Sequence, residues 1–195
     1  MTIRLAKRNE AESIANIHQN EIKKGFLSSL RTPFLTNLYR AIIESEFSFS
    51  VVAEEKNEII GFIAGTFDLD KFYSYFLKRY FFQAILTILP QIFNFQKLKG
   101  IFETLLYSTK GKELPKAELL TIAVKKKFQG KDIASQMFEK FVLEMKERGV
   151  DTFKVVVGKE LSPAIKFYER EGFQFLKEIE IHGREPSLIY LYKIK

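Results

Sequence analysis

The sequence predicts an α/β domain in which helices cover both faces of one sheet. In the C-terminal half, apolar runs typical of strands alternate with helical patterns in the order strand, helix, strand, helix, strand, strand. In the N-terminal half, two strand-like runs flank a short polar turn, which indicates a hairpin. The 195 residues are 46% hydrophobic and 28% charged, a composition that suits a single well-cored domain spanning residues 1–195.

Hydrophobic periodicity predicts five elements before residue 68. Apolar side chains recur at helical spacing in two segments, and Pro33 suits the first turn of the second of them. Two runs rich in β-branched and aromatic residues flank the polar turn KNE and predict an antiparallel hairpin. The predicted ranges are 3–6 for a strand, 9–24 and 33–46 for helices, and 47–54 and 58–67 for the hairpin.

The C-terminal elements have clear boundary signals. Gly149 suits the end of an amphipathic helix, and Ser162 followed by Pro163 suits the start of a short one that Gly172 ends. The run TFKVVV is largely apolar, as expected of a strand covered on both faces. The predicted ranges are 117–124, 152–157, 173–181 and 187–194 for strands, and 131–148 and 162–171 for helices.

An aromatic-rich segment, residues 70–107, interrupts this pattern and predicts a helical insertion of about 70–110. It has no charge from Tyr80 to Gln96, but Pro90 and several amides break that stretch, so we interpret it as helical and not membrane-spanning. Three roles stay open: a wall of a pocket packed on the sheet, an interface in a homodimer, or contact with a membrane surface. Aromatic residues that would suit an apolar pocket wall are Phe72, Tyr73, Phe76 and Phe81.

Composition narrows the classes of function. The chain has no cysteine and two histidines, so we expect neither a disulfide framework nor a metal site. The charged N-terminus, MTIRLAKRNEAES, does not resemble a secretory signal, and we expect a cytoplasmic protein. The net charge of +7 favours an anionic partner, either nucleic acid, a membrane surface or a phosphorylated small molecule. We expect no nucleic-acid partner, because the aromatic residues do not interleave with the basic ones.

The stretch VKKKFQGKDIASQMFEKF, residues 124–141, joins a predicted strand to a predicted helix through a basic turn. This arrangement holds phosphates in many proteins, because free backbone amides and the positive end of the helix dipole both face the ligand. A solvated lysine loop would show the same pattern. The residues alone leave these two interpretations open.

Two motifs resemble those of the GNAT-type N-acetyltransferases. LLTIAVKKKFQGKDIASQMFEKF resembles the family's acetyl-CoA-binding motif, in which Gln or Arg is followed by two residues, Gly, one residue, and Gly or Ala. SPAIKFYEREGF resembles the family's second signature, a short helix with a tyrosine that ends in Gly-Phe. Both occur in the family's order, within residues 117–175. The resemblance implies a mixed central sheet, antiparallel at the N-terminal side, with a splayed parallel pair at 117–124 and 152–157 and with the insertion added to the family core.

The resemblance also implies acetyl-CoA as co-substrate and a set of cofactor-binding residues. The backbone of one strand would contact the pantetheine arm, and the turn after it would bind the pyrophosphate. The implied residues are Ile122, Ala123 and Val124 for the arm, and Gln129, Gly130, Lys131, Asp132, Ile133, Ala134 and Ser135 for the pyrophosphate.

Two residues depart from the family pattern. Asp132 stands where the pattern has glycine and brings a like charge towards the pyrophosphate. Either its carboxylate turns away and caps the helix while Lys125, Lys126, Lys127 and Lys131 offset the repulsion, or cofactor binding is weakened. Leu161 stands where many members have an asparagine that bonds the cofactor or a strand.

Two side chains are candidates for the chemistry of acyl transfer. The resemblance places Tyr168 as the general acid that protonates the departing thiolate, although a core-facing aromatic would fit the same helix face. Glu118 begins an otherwise apolar strand and is the candidate base, although it would also suit a solvent-exposed edge or a contact with the acceptor's ammonium. His18 and His182 are expected to have surface or packing roles.

The sequence therefore predicts an acetyl-CoA-dependent N-acetyltransferase that moves an acetyl group directly to a primary amine. The acceptor would be a small-molecule or peptide amine. The alternative is a non-catalytic relative that uses the fold to bind CoA or a protein, which the departures at Asp132 and Leu161 motivate.

Overall fold

A computed structural model describes residues 1–24, 27–88, 114–179 and 186–195. Its centre is a seven-stranded sheet in the spatial order β1-β2-β3-β4-β5-β7-β6. The strands are β1 (Thr2–Leu5), β2 (Ser48–Glu55), β3 (Glu58–Thr66), β4 (Glu118–Val124), β5 (Thr152–Gly158), β6 (Gln174–Ile179) and β7 (Ser187–Lys193).

Five α-helices lie within the described residues: α1 (Ala11–Glu21), α2 (Thr32–Glu44), α3 (Leu69–Ile88), α4 (Ile133–Glu147) and α5 (Ser162–Arg170). Short 3-10 turns precede α1, α2 and α4. The second helix ends two residues earlier than predicted because Ser45 is extended, with φ −72° and ψ 141°. The fourth begins two residues later than predicted because Asp132 has a left-handed backbone.

Strand pairing confirms the predicted fold class. All neighbouring strands are antiparallel except β4 and β5, which are parallel. That parallel pair is bonded at two positions only, Glu118 with Lys154 and Leu119 with Val155, both at the start of the strands. Beyond Leu119 the two strands part, which is the predicted splay.

Separate apolar clusters fill the two faces of the sheet. On one face, α1, α2 and α3 cover Phe62 and its neighbours, and the ring of Tyr39 meets that of Phe62 edge-on at 5.1 Å. On the other face, α4 and α5 cover Phe153, and Phe141 of α4 packs at 5.6 Å from it. A side chain at Gly65 would come within 2.4 Å of the Phe141 ring, so this close approach requires glycine.

The first turns of α3 belong to the core of the α1 and α2 face. Leu69, Phe72, Phe76 and Tyr80 recur at helical spacing, and each is no more than 5% exposed. Tyr80 also donates its hydroxyl hydrogen to Glu44 Oε2 at 2.5 Å, which ties α3 to the end of α2. The expectation that Phe72 and Phe76 line a pocket is therefore wrong, because both pack inward.

The insertion beyond residue 88 was predicted to be helical as far as about residue 110. Residues 89–110 of that prediction, and the side chain of Phe81, lie outside the described residues. The described start of the insertion is helical, as predicted.

Candidate active site

β4 and β5 are separated by a gap across which their backbones do not pair beyond Leu119. β4 pairs with β3 along its length, with a register shift opposite Ala64 and Gly65 that leaves Leu120 as an extra residue. β5 pairs with β7 at every position from Thr152 to Gly158. Each strand is therefore held by its outer neighbour, while past Leu119 the inner edges of β4 and β5 are not paired with each other.

The residues predicted to contact the pantetheine arm lie on this inner edge. Ile122, Ala123 and Val124 form the last three positions of β4, and the last two are no more than 9% exposed. An extended arm with amide groups fits between two such edges in the way an added strand would. The structure thus places these residues on the edge of β4 that is not paired with β5.

The turn after β4 is fixed by one side chain and one backbone bond. Gln129 Nε2 donates to the Val124 carbonyl at 2.8 Å, and the Lys125 amide continues the sheet by donating to the Ile60 carbonyl at 2.8 Å. Gly130 has φ +76°, and no heavy atom lies within 4 Å of where a Cβ would stand. The turn therefore leaves open space over the backbone that leads into α4.

Asp132 is the N-cap residue of α4 and has φ 60° and ψ 14°. Its side chain makes no capping hydrogen bond, so the predicted helix cap is wrong. Aspartate and asparagine tolerate this left-handed backbone better than most residues, which explains how this residue occupies the glycine position of the motif.

The start of α4 presents free backbone donors. The first bond into the helix runs from the Gln136 amide to the Asp132 carbonyl at 3.1 Å. Among the described residues, the six amides of residues 130–135 donate to no backbone carbonyl. With the positive end of the helix dipole, these donors fit a diphosphate.

The lysines of the turn do not all face this site. Lys125 and Lys127 contact the carboxylate of Glu58, at 2.7 and 3.3 Å. These hydrogen bonds, led by that of Lys125, hold the pKa of Glu58 below its usual range. The Nζ atoms of Lys127 and Lys131 also lie 4.9 and 5.5 Å from the centre of the Phe128 ring. Two of the four lysines expected to offset Asp132 are thus paired with Glu58.

Ser135 joins the start of α4 to the end of α5. Its Oγ donates to Glu171 Oε1 at 2.6 Å and accepts from Arg170 Nη2 at 3.1 Å. Arg170 and Glu171 were missed in the sequence, although both stand in the YEREGF motif. A contact between side chains 35 positions apart leaves no local pattern that would have revealed it.

Tyr168 lies on α5 and is 5% exposed. Its ring packs at 5.5 Å from Phe167 and 5.3 Å from Phe173. Burial raises the pKa of its phenol well above the ordinary value, so the group keeps its proton near neutral pH. Within the described part of the chain, the hydroxyl makes no hydrogen bond.

Leu161 is the N-cap residue of α5 and makes no side-chain cap. Its carbonyl accepts from the amides of Ala164 and Ile165, both at 3.0 Å, while its side chain packs on the core of the α4 and α5 face. The backbone therefore starts α5 without the asparagine found in many family members.

Glu118 is buried at the start of β4, which rules out the alternative of a solvent-exposed edge. Its Oε2 lies 3.1 Å from Lys154 Nζ, which also donates to the Pro115 carbonyl. Burial raises the pKa of Glu118, and Lys154 opposes this effect. Lys154 was missed in the sequence; its signal was a single lysine in the apolar run TFKVVV.

His18 lies in the core between α1 and α2, in line with the predicted packing role. Its Nδ1 is 2.5 Å from the Tyr39 hydroxyl, and burial lowers its pKa to about 4, so the ring is neutral at neutral pH. The prediction for His182 lies outside the described residues.

Comparison with a known family decides what this arrangement is. The sequence model of the Acetyltransferase (GNAT) family matches residues 16–173, which run from α1 to the end of the Tyr168 motif. The chain belongs to the acetyltransferase (GNAT) family. It is therefore an acyltransferase, and the GNAT-type resemblance of its motifs is confirmed. In a comparison with curated proteins, nothing matches the chain.

Solved structures of acetyltransferases share the fold. The ribosomal-protein-S18-alanine N-acetyltransferase from Escherichia coli has a TM-score of 0.61 at 17% identity, covering 100% of this chain and 94% of that one. PaiA N-acetyltransferase from Thermoplasma acidophilum, in complex with coenzyme A, has 0.59 at 15%, covering 99% of each chain. An aminoglycoside 6'-N-acetyltransferase complexed with coenzyme A has 0.63 at 12%, covering 100% and 98%. At these identities the likeness establishes the fold.

The described ranges contain neither a candidate membrane-spanning helix nor a candidate metal cluster. None of their helices is long and apolar enough to cross a membrane. No three histidine or acidic side chains in these ranges gather into a set that could hold a metal ion.

Proposed function

We propose that this acyltransferase moves the acetyl group of acetyl-CoA directly to a primary amine. The observation that carries the proposal is the parting of β4 and β5 next to the amides of residues 130–135, which donate to no backbone carbonyl among the described residues. The gap suits the pantetheine arm, and the amides suit the diphosphate. Coenzyme A is bound in two of the solved structures with this fold, which supports the same ligand here.

The binding residues in the proposal are mainly backbone donors and acceptors. Ile122, Ala123 and Val124 bond the pantetheine amides along the inner edge of β4. Gln129 holds the turn through its bond to the Val124 carbonyl, so that the following amides face the phosphates. The residues of the phosphate turn are Gln129, Gly130, Lys131, Asp132, Ile133, Ala134 and Ser135. When bound, acetyl-CoA supplies an acetyl thioester, which is the activated acyl group.

Tyr168 is the proposed general acid. As the amine nitrogen bonds to the carbonyl carbon, the bond from that carbon to sulfur breaks, and the phenol gives its proton to the departing thiolate. The raised pKa keeps the phenol protonated before the reaction. Its hydroxyl, unbonded among the described residues, needs no existing partner to be displaced.

Glu118 is the proposed base that takes the proton lost by the amine, directly or through a water molecule. Its raised pKa moves the carboxylate towards the basicity that proton transfer near neutral pH requires. Lys154 keeps the carboxylate in place at the point where β4 and β5 part. A backbone amide near Ile122 or Ala123 would polarise the acetyl carbonyl.

The acceptor in this proposal is a small-molecule or peptide amine. Two proteins of the same fold have names that refer to an alanine of a ribosomal protein and to aminoglycosides, and both of these carry amines. A panel of primary amines, scored by release of free CoA thiol from acetyl-CoA, identifies the class that this chain accepts.

Substitution of Tyr168 tests the mechanism. Tyr168→Phe should lower kcat at least 100-fold, because it removes the proton donor and little else, while the calorimetric Kd for CoA stays within about twofold. The matched control is Tyr192→Phe, a hydroxyl in the same aromatic cluster but on β7, which should leave kcat unchanged. An undiminished kcat for Tyr168→Phe would remove it from the mechanism, and a wild-type chain that binds no CoA would refute the proposed function itself.

A further inference from the structure

The end of α5 places a cation beside the first turn of α4. Arg170 is the last residue of α5, and its side chain is 64% exposed. Its Nη2 lies 3.1 Å from the Oγ of Ser135, whose own amide is one of the six that donate to no backbone carbonyl among the described residues. The guanidinium therefore stands next to the proposed diphosphate site.

Neighbouring side chains hold the guanidinium in one orientation. Glu171 Oε1 accepts from Arg170 Nη2 at 3.0 Å and from Nε at 3.3 Å, and it also accepts from the Ser135 hydroxyl. The Phe167 ring centre lies 5.4 Å from Arg170 Cζ. The remaining nitrogen, Nη1, makes no hydrogen bond to any residue that the structure describes. Two N–H donors on a fixed, planar group are thus left for a further acceptor.

The charges around the site favour such a donor. Asp132 brings a carboxylate to the N-cap of α4, and it makes no capping bond. Lys125 and Lys127, two of the three lysines that precede the turn, contact Glu58. Arg170 is also paired, with Glu171 through Nε and Nη2, but its Nη1 still presents a cationic donor from a different element, in a fork geometry that matches phosphate oxygens.

We propose that Arg170 binds the diphosphate of CoA beside the first turn of α4. The inference rests on the proposed function, because it assumes that the diphosphate lies at the amides of residues 130–135. Ser135 and Glu171 are positioning residues, which act by holding the guanidinium. Since Tyr168 lies two residues earlier on the same helix, this contact also links the phosphate end of the cofactor to the helix that carries the proposed acid.

Calorimetric titration with CoA and 3'-dephospho-CoA tests the assignment. Arg170→Ala should raise the Kd of both compounds about tenfold, which is about 1.4 kcal/mol, because both contain the diphosphate. Arg170→Lys should raise it less, since it keeps the charge and loses the fork. With acetyl-pantetheine, which has no phosphate, kcat/KM should be equal for wild type and Arg170→Ala. The matched control is Lys166→Ala, an exposed cation on the same helix, with an unchanged Kd expected.

Each other outcome overturns the assignment. If Arg170→Ala raises the Kd for CoA and leaves that for 3'-dephospho-CoA unchanged, Arg170 contacts the 3'-phosphate and not the diphosphate. A loss of equal size with acetyl-pantetheine would show that the substitution disturbs α5, and an unchanged Kd would show that Arg170 does not contact the cofactor. A wild-type chain that binds neither CoA nor 3'-dephospho-CoA would instead refute the proposed function.

Discussion

The charge of Asp132 should weaken CoA binding, and its removal should strengthen it. Asp132 stands at the N-cap of α4 with an uncapped carboxylate, next to the amides proposed to bind the diphosphate. An exposed pair of charges interacts by roughly 0.2–1 kcal/mol after solvent screening, and a diphosphate carries about two charges. Loss of this repulsion, about 0.4–2 kcal/mol, should therefore lower the Kd for CoA roughly 2- to 30-fold.

Three substitutions separate the effect of the charge from that of the backbone. Asp132→Asn removes the charge and keeps a residue that tolerates φ 60°. Asp132→Gly relieves about 1 kcal/mol of left-handed strain, but it loses about 0.4–1 kcal/mol through a freer unfolded chain, so stability should hardly change. Alanine does not tolerate the left-handed backbone as well as aspartate or asparagine, so Asp132→Ala should lower the free energy of unfolding by about 1 kcal/mol.

Calorimetric titration at low and high salt, with urea unfolding alongside, measures both effects. The tighter binding of Asp132→Asn should be largest at low salt and should fade near 1 M, where the screening length is about 3 Å. If Asp132→Asn binds CoA no tighter than wild type at low salt, the carboxylate does not act on the diphosphate and the electrostatic reasoning fails. If Asp132→Ala is as stable as Asp132→Asn, the backbone reasoning fails.

Three further predictions concern the packing of α3, the buried histidine and the proposed base. Phe76→Ala should lower the unfolding free energy by about 3 kcal/mol in urea titrations, while exposed Leu77→Ala should change it by less than about 0.5 kcal/mol. Equal losses would contradict the inward packing. Because burial lowers the pKa of His18 from 6.5 to about 4, the unfolded chain binds the extra proton between these values, and stability should fall by up to about 3 kcal/mol as pH drops through that window. His18→Gln should flatten this dependence of stability on pH, and an unchanged slope would show that His18 does not cause it. Glu118→Gln should lower kcat about 100-fold. In the wild type, kcat/KM should fall at acidic pH as Glu118 is protonated, at a pH above the ordinary glutamate pKa because burial raises the pKa of Glu118, and the variant should lack this fall. The exposed control Glu178→Gln should match wild type, and equal activity of the two variants would exclude Glu118 as the base.

Much of the fold could be predicted because its elements have strong local signals. Period-two runs and apolar helical faces marked the strands and helices, and two ordered motifs fixed the parallel pair and the turn between β4 and α4. Periodicity also revealed the apolar face of α3, but it does not say what that face meets. For this reason the sequence predicts Phe72 and Phe76 as pocket walls, although they pack in the core.

The parts of the site that escaped prediction are contacts between side chains distant in the sequence. Lys154 meets Glu118 because β4 and β5 lie side by side, and Arg170 meets Ser135 because the end of α5 reaches the start of α4. The predicted cap by Asp132 failed for a different reason. A capping side chain usually stands on an extended backbone, whereas the backbone at Asp132 is left-handed, and the carboxylate makes no capping bond.

The two departures from the family pattern share one physical explanation. The proposed cradle binds through main-chain amides, and its shape depends on the backbone angles at Gly130 and Asp132 and on the bond from Gln129 to the Val124 carbonyl. A residue that can adopt these angles keeps the donors in place whatever its side chain, so aspartate alters affinity through charge and leaves the geometry intact. Leu161 likewise supplies the carbonyl that starts α5. The catalytic interpretation therefore depends on backbone donors that both departures leave in position.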